Sequence, residues 1–91
     1  MEISFDRDKR AANLAKHGLD LADARSVLAG RCVHRLDDRF DYGEDRWITL
    51  RLLGADVVVC VWAEWPEVVR VISLRKANAH EREILFGGGA G

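Results

Sequence analysis

The sequence carries almost no net charge. Its 14 Lys and Arg against 15 Asp and Glu leave −1 at neutral pH. No global field therefore draws a polyanion to the chain, and any nucleic-acid contact has to rest on a local basic patch. Long apolar runs are also missing. The longest, Val57 to Ala63, is far too short to span a membrane. Nothing at the start resembles a signal peptide, because Asp6, Arg7, Asp8, Lys9 and Arg10 arrive at once. The expected location is cytoplasmic. Cysteine is scarce, with Cys32 and Cys60 alone. Cys60 sits in an apolar run and reads as a small core residue; a disulfide is not expected in such a chain.

Motifs for bound groups are lacking too. There is no C-x-x-C or H-x-x-x-H spacing for a metal. The acidic stretch Asp37, Asp38, Asp41, Glu44 and Asp45 departs from the EF-hand pattern and reads as a solvated charge run. No Walker A loop, dinucleotide fingerprint or nucleophile elbow is present, so no cofactor is expected.

What is present is a chain of 91 residues, 48% hydrophobic and 32% charged. Those proportions belong to a small globular protein rather than a disordered one. Residues 1–86 read as one domain. Gly87 to Gly91 is a glycine-rich tail with no side chains to pack, excluded from the fold.

Asp8 or Asp6 can cap a helix from about Lys9 to His17, which Gly18 ends. Lys9, Asn13, Lys16 and His17 share one stripe of it. Asp20 caps a second helix to about Leu28. From Arg31 the apolar period changes from 3.6 to 2. Strands are expected at Cys32–Leu36, Arg46–Leu53, Val57–Trp62 and Val68–Leu74. Turns fall at Gly54-Ala55-Asp56 and Trp65-Pro66-Glu67. Asn78 and Glu81 have the N-x-x-E spacing of a capping box for a last helix to about Phe86. The expected fold is α+β: two N-terminal helices, a four-stranded antiparallel sheet and a C-terminal helix. The order is α-α-β-β-β-β-α, with the helices packed on one face.

The last strand is the most informative segment. It runs from Arg70 into the cations Arg75 and Lys76 and then into a helix N-terminus. Cations there oppose the helix dipole, which is easiest to explain if an anion sits between them. A regular strand would put Arg70 and Arg75 on opposite faces. Arg70 could also pair with Glu64 or Glu67 across the hairpin. His17 at a helix end fits a C-cap and also an acid/base near neutral pH. His80 lies in a first helical turn, and His34 on a short strand suggests no role.

Taken together, Phe5-Asp6-x-Asp8-Lys9, Asn13-Leu14-x-Lys16-His17-Gly18, Asp38-Arg39-x-Asp41-Tyr42-Gly43-Glu44-x-Arg46-Trp47 and Arg70 to Ala77 with Glu81-Arg82 resemble the BrnT-type toxins of bacterial type II toxin–antitoxin modules. The resemblance implies a RelE-like fold and a metal-independent endoribonuclease that halts translation by cutting RNA. It also implies a ribbon-helix-helix DNA-binding antitoxin as partner. Cutting RNA without metal lets a ribose 2′-OH attack its own phosphate, which needs a proton acceptor and cations around the phosphorane. On that reading Arg75 and Lys76 hold the phosphate, followed by Arg70 and Arg46. His17 is the preferred acid/base, with Glu64 and His80 behind it. Lys16 adds a phosphate contact, and Trp47 or Tyr42 can stack a base. The alternative is a non-catalytic, toxin-like module that binds an antitoxin or nucleic acid.

Overall fold

The computed structural model of the chain describes residues 2–29, 32–37 and 43–86. The expected tail and Tyr42 lie outside the described residues. The elements are β1 (Ile3–Ser4), α1 (Arg7–His17), a 3-10 turn (Leu21–Asp23), α2 (Ala24–Leu28), β2 (Val33–Asp37), β3 (Arg46–Leu53), β4 (Asp56–Trp65), β5 (Val68–Lys76) and α3 (Ala79–Phe86). The strands form one five-stranded sheet in the order β1-β5-β4-β3-β2.

Three expectations are corrected here. The sheet is five-stranded and mixed rather than four-stranded and antiparallel, because β1 joins β5 in parallel. The chain therefore opens with a strand and not a helix. Two residues cannot display a period of 2, and the pairing partner lies at the far end of the chain. What holds β1 is packing and its pairing with β5: Ile3 and Phe5 pack beside Val69 on the main core, Ile3 and Ser4 are in register with Val69 and Arg70, and Val69 N–H donates to Glu2 C=O at 2.9 Å. The second helix is also shorter than expected: Asp20 caps a 3-10 turn that precedes a five-residue α2. Finally, the helices are not all on one face.

The main core lies between the sheet and the first helices. It contains Leu21, Ala24, Val27, Val58, Cys60, Val71 and Leu74. Burial pushes the Cys60 thiol up to about 12, as for a sulfhydryl kept from water. On the opposite face α3 brings Ile84 and Leu85 over Leu50, Val57 and Val59. The sheet is thus sandwiched in part, with the 3-10 turn and α2 on one side and α3 on the other. We call these the helical face and the α3 face.

Asn13 shows why α1 stays where it is. Beyond Arg70, among the described residues, no strand neighbours the outer edge of β5. The Asn13 carboxamide covers that edge, accepting from Leu74 N–H at 3.1 Å and donating to Leu74 C=O at 2.8 Å. It also donates to Leu19 C=O at 2.8 Å. A buried side-chain amide here replaces the peptide group of an absent strand, which both satisfies and shields an exposed edge.

Two carboxylates, the exposed Asp6 and the half-buried Asp20, set the entry to α1 and the turn after it. The Asp6 carboxylate accepts from Lys9 N–H at 3.1 Å and Asp8 N–H at 2.8 Å, and these bonds lower its pKa. The Arg10 guanidinium grips Asp20 at 2.7 and 2.8 Å and lowers its pKa in the same way. A carboxylate held below its ordinary 3.8 stabilises the fold above that value and loses its effect as pH falls through the folded-state value. Circular-dichroism melts of the parent should therefore lose more Tm between about pH 5 and about pH 2.5 than those of Asp6→Asn/Asp20→Asn. Equal losses would assign the acid sensitivity to other groups.

Candidate functional site

The β4–β5 register decides which side chains meet. Val61 pairs with Ser73 but Trp62 pairs with Val71, so β5 carries one extra residue, Ile72, against β4. This is a β-bulge, and it inverts the alternation downstream. Val71 and Leu74, three positions apart, consequently both enter the helical-face core. Arg70, opposite Ala63, and Arg75, opposite Val59, both emerge on the α3 face. The opposite-face placement expected of a regular strand is thus reversed.

The same face gathers cations from other strands. Arg46 is in register with Ala63 and Asp37, and Arg35 with Ile48. One row across the sheet reads Asp37, Arg46, Ala63, Arg70, Ser4. The small, buried Ala63 separates the two arginines of that row. Arg70 lies over the Trp65 ring at 4.9 Å, with Nη1 3.4 Å from Ser4 Oγ. Arg46 Nε is 3.4 Å from Glu44 Oε2.

Where α3 crosses this face it leaves a cleft of about 260 Å³, lined by Arg35, Asp37, Ile48, His80, Glu81 and Ile84 among others. Among the described residues no hydrogen bond engages the Arg35 guanidinium or the His80 ring. His80 is exposed on the first turn of α3.

Arg75 and Glu81 hold that turn in place. Arg75 donates two bonds of 2.7 Å to the Glu81 carboxylate, a bidentate pair. Glu81 also accepts from Asn78 N–H at 3.0 Å, and Asn78 Oδ1 accepts from Glu81 N–H at 2.9 Å. This is the expected capping box. The anion near Arg75 is thus the helix's own Glu81.

The remaining candidates fall elsewhere. Lys76 is in register with Val58, on the other side of the sheet from Arg75, with Nζ 3.6 Å from Asp56 Oδ2. The strand continues through Lys76 rather than ending at Leu74, so adjacent cations alternate between faces. Lys16 and His17 line a shallow groove of about 260 Å³ with Lys9, Asn13 and Ile72, between α1 and the β5 bulge. Gly18, at φ 70, ends α1 directly after His17.

Glu64 and Trp47 line a third cavity, on the helical face, of about 320 Å³ with Leu28, His34, Trp62 and Val69. Trp47 stacks on Trp62 with centroids 6.0 Å apart, and His34 meets Trp62 edge-on at 6.2 Å. A hydrogen-bond chain runs through the buried Thr49. Trp62 Nε1–H donates to Thr49 Oγ1 at 2.8 Å, Thr49 Oγ1 meets His34 Nδ1 at 2.6 Å, and His34 Nε2 meets Cys32 Sγ at 3.2 Å.

Sequence reasoning missed Arg35, Asp37 and the part played by His34. Register was the signal that could have found them. Once β2 is paired with β3, Arg35 and Asp37 fall on one face and His34 on the other, beside Thr49.

The α3 face therefore presents arginines from β2, β3 and β5, and its cleft adds an unengaged imidazole. That set suits a phosphodiester ligand, whose charge cations position and whose protons an imidazole can move. The comparison with protein families agrees. The model described as "Ribonuclease toxin, BrnT, of type II toxin-antitoxin system" matches residues 5–81. The chain belongs to this family. It is the ribonuclease toxin of a type II toxin–antitoxin system, so its target is RNA and it has an antitoxin partner. No curated protein matches the chain. No helix among the described residues is long and apolar enough to cross a membrane.

Proposed function

We propose that RNA is cut in the cleft between α3 and the β2–β3 hairpin, without a metal ion. His80 moves the proton there. Arg35 stabilises the phosphorane formed when a ribose 2′-O attacks the adjacent phosphorus and the 5′-O leaves. The products are a 2′,3′-cyclic phosphate and a 5′-hydroxyl. Arg46 and Arg70 hold flanking phosphates along the sheet. The Arg75–Glu81 pair is a positioning device that sets the first turn of α3. The observation that carries this reading is the bulge at Ile72, which turns Arg70 and Arg75 to the same face as Arg35 and Arg46.

On this reading Lys16 and His17 take no part in the chemistry, and Lys76 serves the outer edge of the sheet. The toxin domain comprises residues 1–86. It acts in the cytoplasm, where cutting RNA arrests translation, and a ribbon-helix-helix antitoxin neutralises it and represses the shared operon. Support for these last points comes from the family resemblance.

Two measurements test the site. Inducing the parent without its antitoxin arrests growth, and Arg46→Ala/Arg70→Ala relieves the arrest. In binding assays each arginine removed lowers the slope of log K against log salt by about 0.7, the share of one single-strand phosphate. A double variant with full toxicity and an unchanged salt slope would remove Arg46 and Arg70 from the RNA path. RNA that is shifted in a gel yet left intact at every metal concentration would favour the binding-module reading. Cleavage that EDTA abolishes would overturn metal independence.

A further inference from the structure

The aromatic cavity on the helical face has no part in the chemistry just described, yet it is built like a ligand site. Its volume of about 320 Å³ lies at the low end of small-molecule pockets, roughly 300–1,000 Å³. One wall is the stacked Trp47–Trp62 pair. The Thr49–His34 chain consumes Trp62 Nε1–H and holds His34 edge-on to the Trp62 ring. These rings are therefore pre-set before any ligand arrives. Glu64 lies two residues along β4 from Trp62, on the same face, and lines the cavity. Among the described residues no hydrogen bond or ion pair engages its carboxylate. An exposed, unengaged carboxylate beside a flat aromatic wall needs a planar ligand that brings hydrogen-bond donors on one edge.

We infer that this cavity binds a guanine base, stacked on the tryptophan wall with its N1–H and N2–H donated to the Glu64 carboxylate. Of the RNA bases only guanine offers two adjacent donors on its Watson–Crick edge, and these match a carboxylate in a charge-assisted bidentate pair. Adenine presents an acceptor at N1, which faces the carboxylate unfavourably. Cytosine offers its exocyclic amine and uracil a single ring N–H. Stacking is tolerant of base identity, so Glu64 supplies the discrimination and the tryptophans supply the affinity.

The site lies one residue from the proposed RNA path. Arg46 emerges on the α3 face and its neighbour Trp47 on the helical face, at the same end of the sheet. A single strand held by Arg46 that turns over this end can place a neighbouring base against Trp47. Glu64 is then a specificity-determining residue of the cut. The inference rests on the ribonuclease reading for its biological meaning, but base binding is measurable without cleavage.

The purified chain is titrated with GMP, AMP, CMP and UMP while its tryptophan fluorescence is followed. GMP should quench most and bind at least about tenfold more tightly than AMP, the free-energy step of about one charge-assisted pair. Glu64→Gln should erase that preference, because an amide pairs with adenine as readily as with guanine. Trp47→Leu should remove binding of all bases. Circular dichroism establishes that both variants keep the parent fold. Cleavage of RNAs differing at one position should favour guanine in the parent and not in Glu64→Gln. Equal binding of the nucleotides, no binding, or a preference untouched by Glu64→Gln each overturns the inference. If cleavage persists in those cases, the ribonuclease site stands without this pocket. If GMP binds selectively but His80 and the arginines prove irrelevant to cutting, the pocket stands and the proposed cleft falls.

Discussion

Alanine at His80 should slow RNA cleavage by about 10²- to 10⁴-fold, the usual worth of a positioned general acid or base. The side chain is exposed on the first turn of α3, and alanine is the better helix former. The fold should therefore be unaffected. Single-turnover cleavage of a short RNA reads the rate, and a melt followed by circular dichroism reads the fold. His17→Ala is the control: it leaves the cleft intact and should change the rate by less than about threefold, far short of an acid/base loss. If His17→Ala is the crippled variant and His80→Ala the normal one, the chemistry lies on the α1 side. The α3 cleft would then be a binding surface. Arg35→Ala belongs in the same series, since its guanidinium lines the cleft beside His80.

The second large effect concerns stability. Asn13→Leu keeps roughly the size of the side chain but deletes its bonds to Leu74 N–H, Leu74 C=O and Leu19 C=O. Backbone groups at a buried edge then lose their partners, at a cost of about 1–3 kcal/mol each when unsatisfied. A destabilisation of about 3 kcal/mol or more is expected, against a total of roughly 5–15 kcal/mol for a domain. Urea titration measures it, with an unchanged m-value marking a loss of stability rather than of compactness. A shift under about 1 kcal/mol would mean that water replaces the amide at this edge. Asn13→Leu should be less toxic in cells through loss of folded protein. The fraction that remains folded should cut RNA at the parental rate.

Local signals in the sequence served well where a short segment carries its own instructions. The Asn78–Glu81 capping box, Gly18 at the end of α1 and the Gly54 turn are all where the residues placed them. The strands β3, β4 and β5 also fall close to the expected segments. What could not be read was pairing across the chain. Ile3–Ser4 is too short to announce itself, and its partner is Val69–Arg70. α3 crosses to the opposite face because Ile84 and Leu85 find Leu50 and Val59 there, a fact that no helical period contains.

The candidate site was legible in residue type more than in geometry. Arg70, Arg75, Arg46 and His80 were named, and they meet on one face. Lys76, Lys16 and His17 were named with them and lie apart, since adjacent strand residues alternate and α1 packs along the outer edge of β5. Glu64 and Trp47 line one cavity together, on the face opposite the arginines. Arg35 was passed over because nothing local distinguishes it; only its register with Ile48 brings it to the cleft.

The bulge at Ile72 acts as a phase shift within β5. Residues before it keep one parity and residues after it the other. An odd separation in sequence thereby serves one surface: Arg70 and Arg75 are five positions apart, and Val71 and Leu74 three apart, yet each pair shares a face. Losing Ile72 would remove the bulge and leave a regular strand on which both pairs keep their faces. Parity, more than the extra residue itself, is what the site requires.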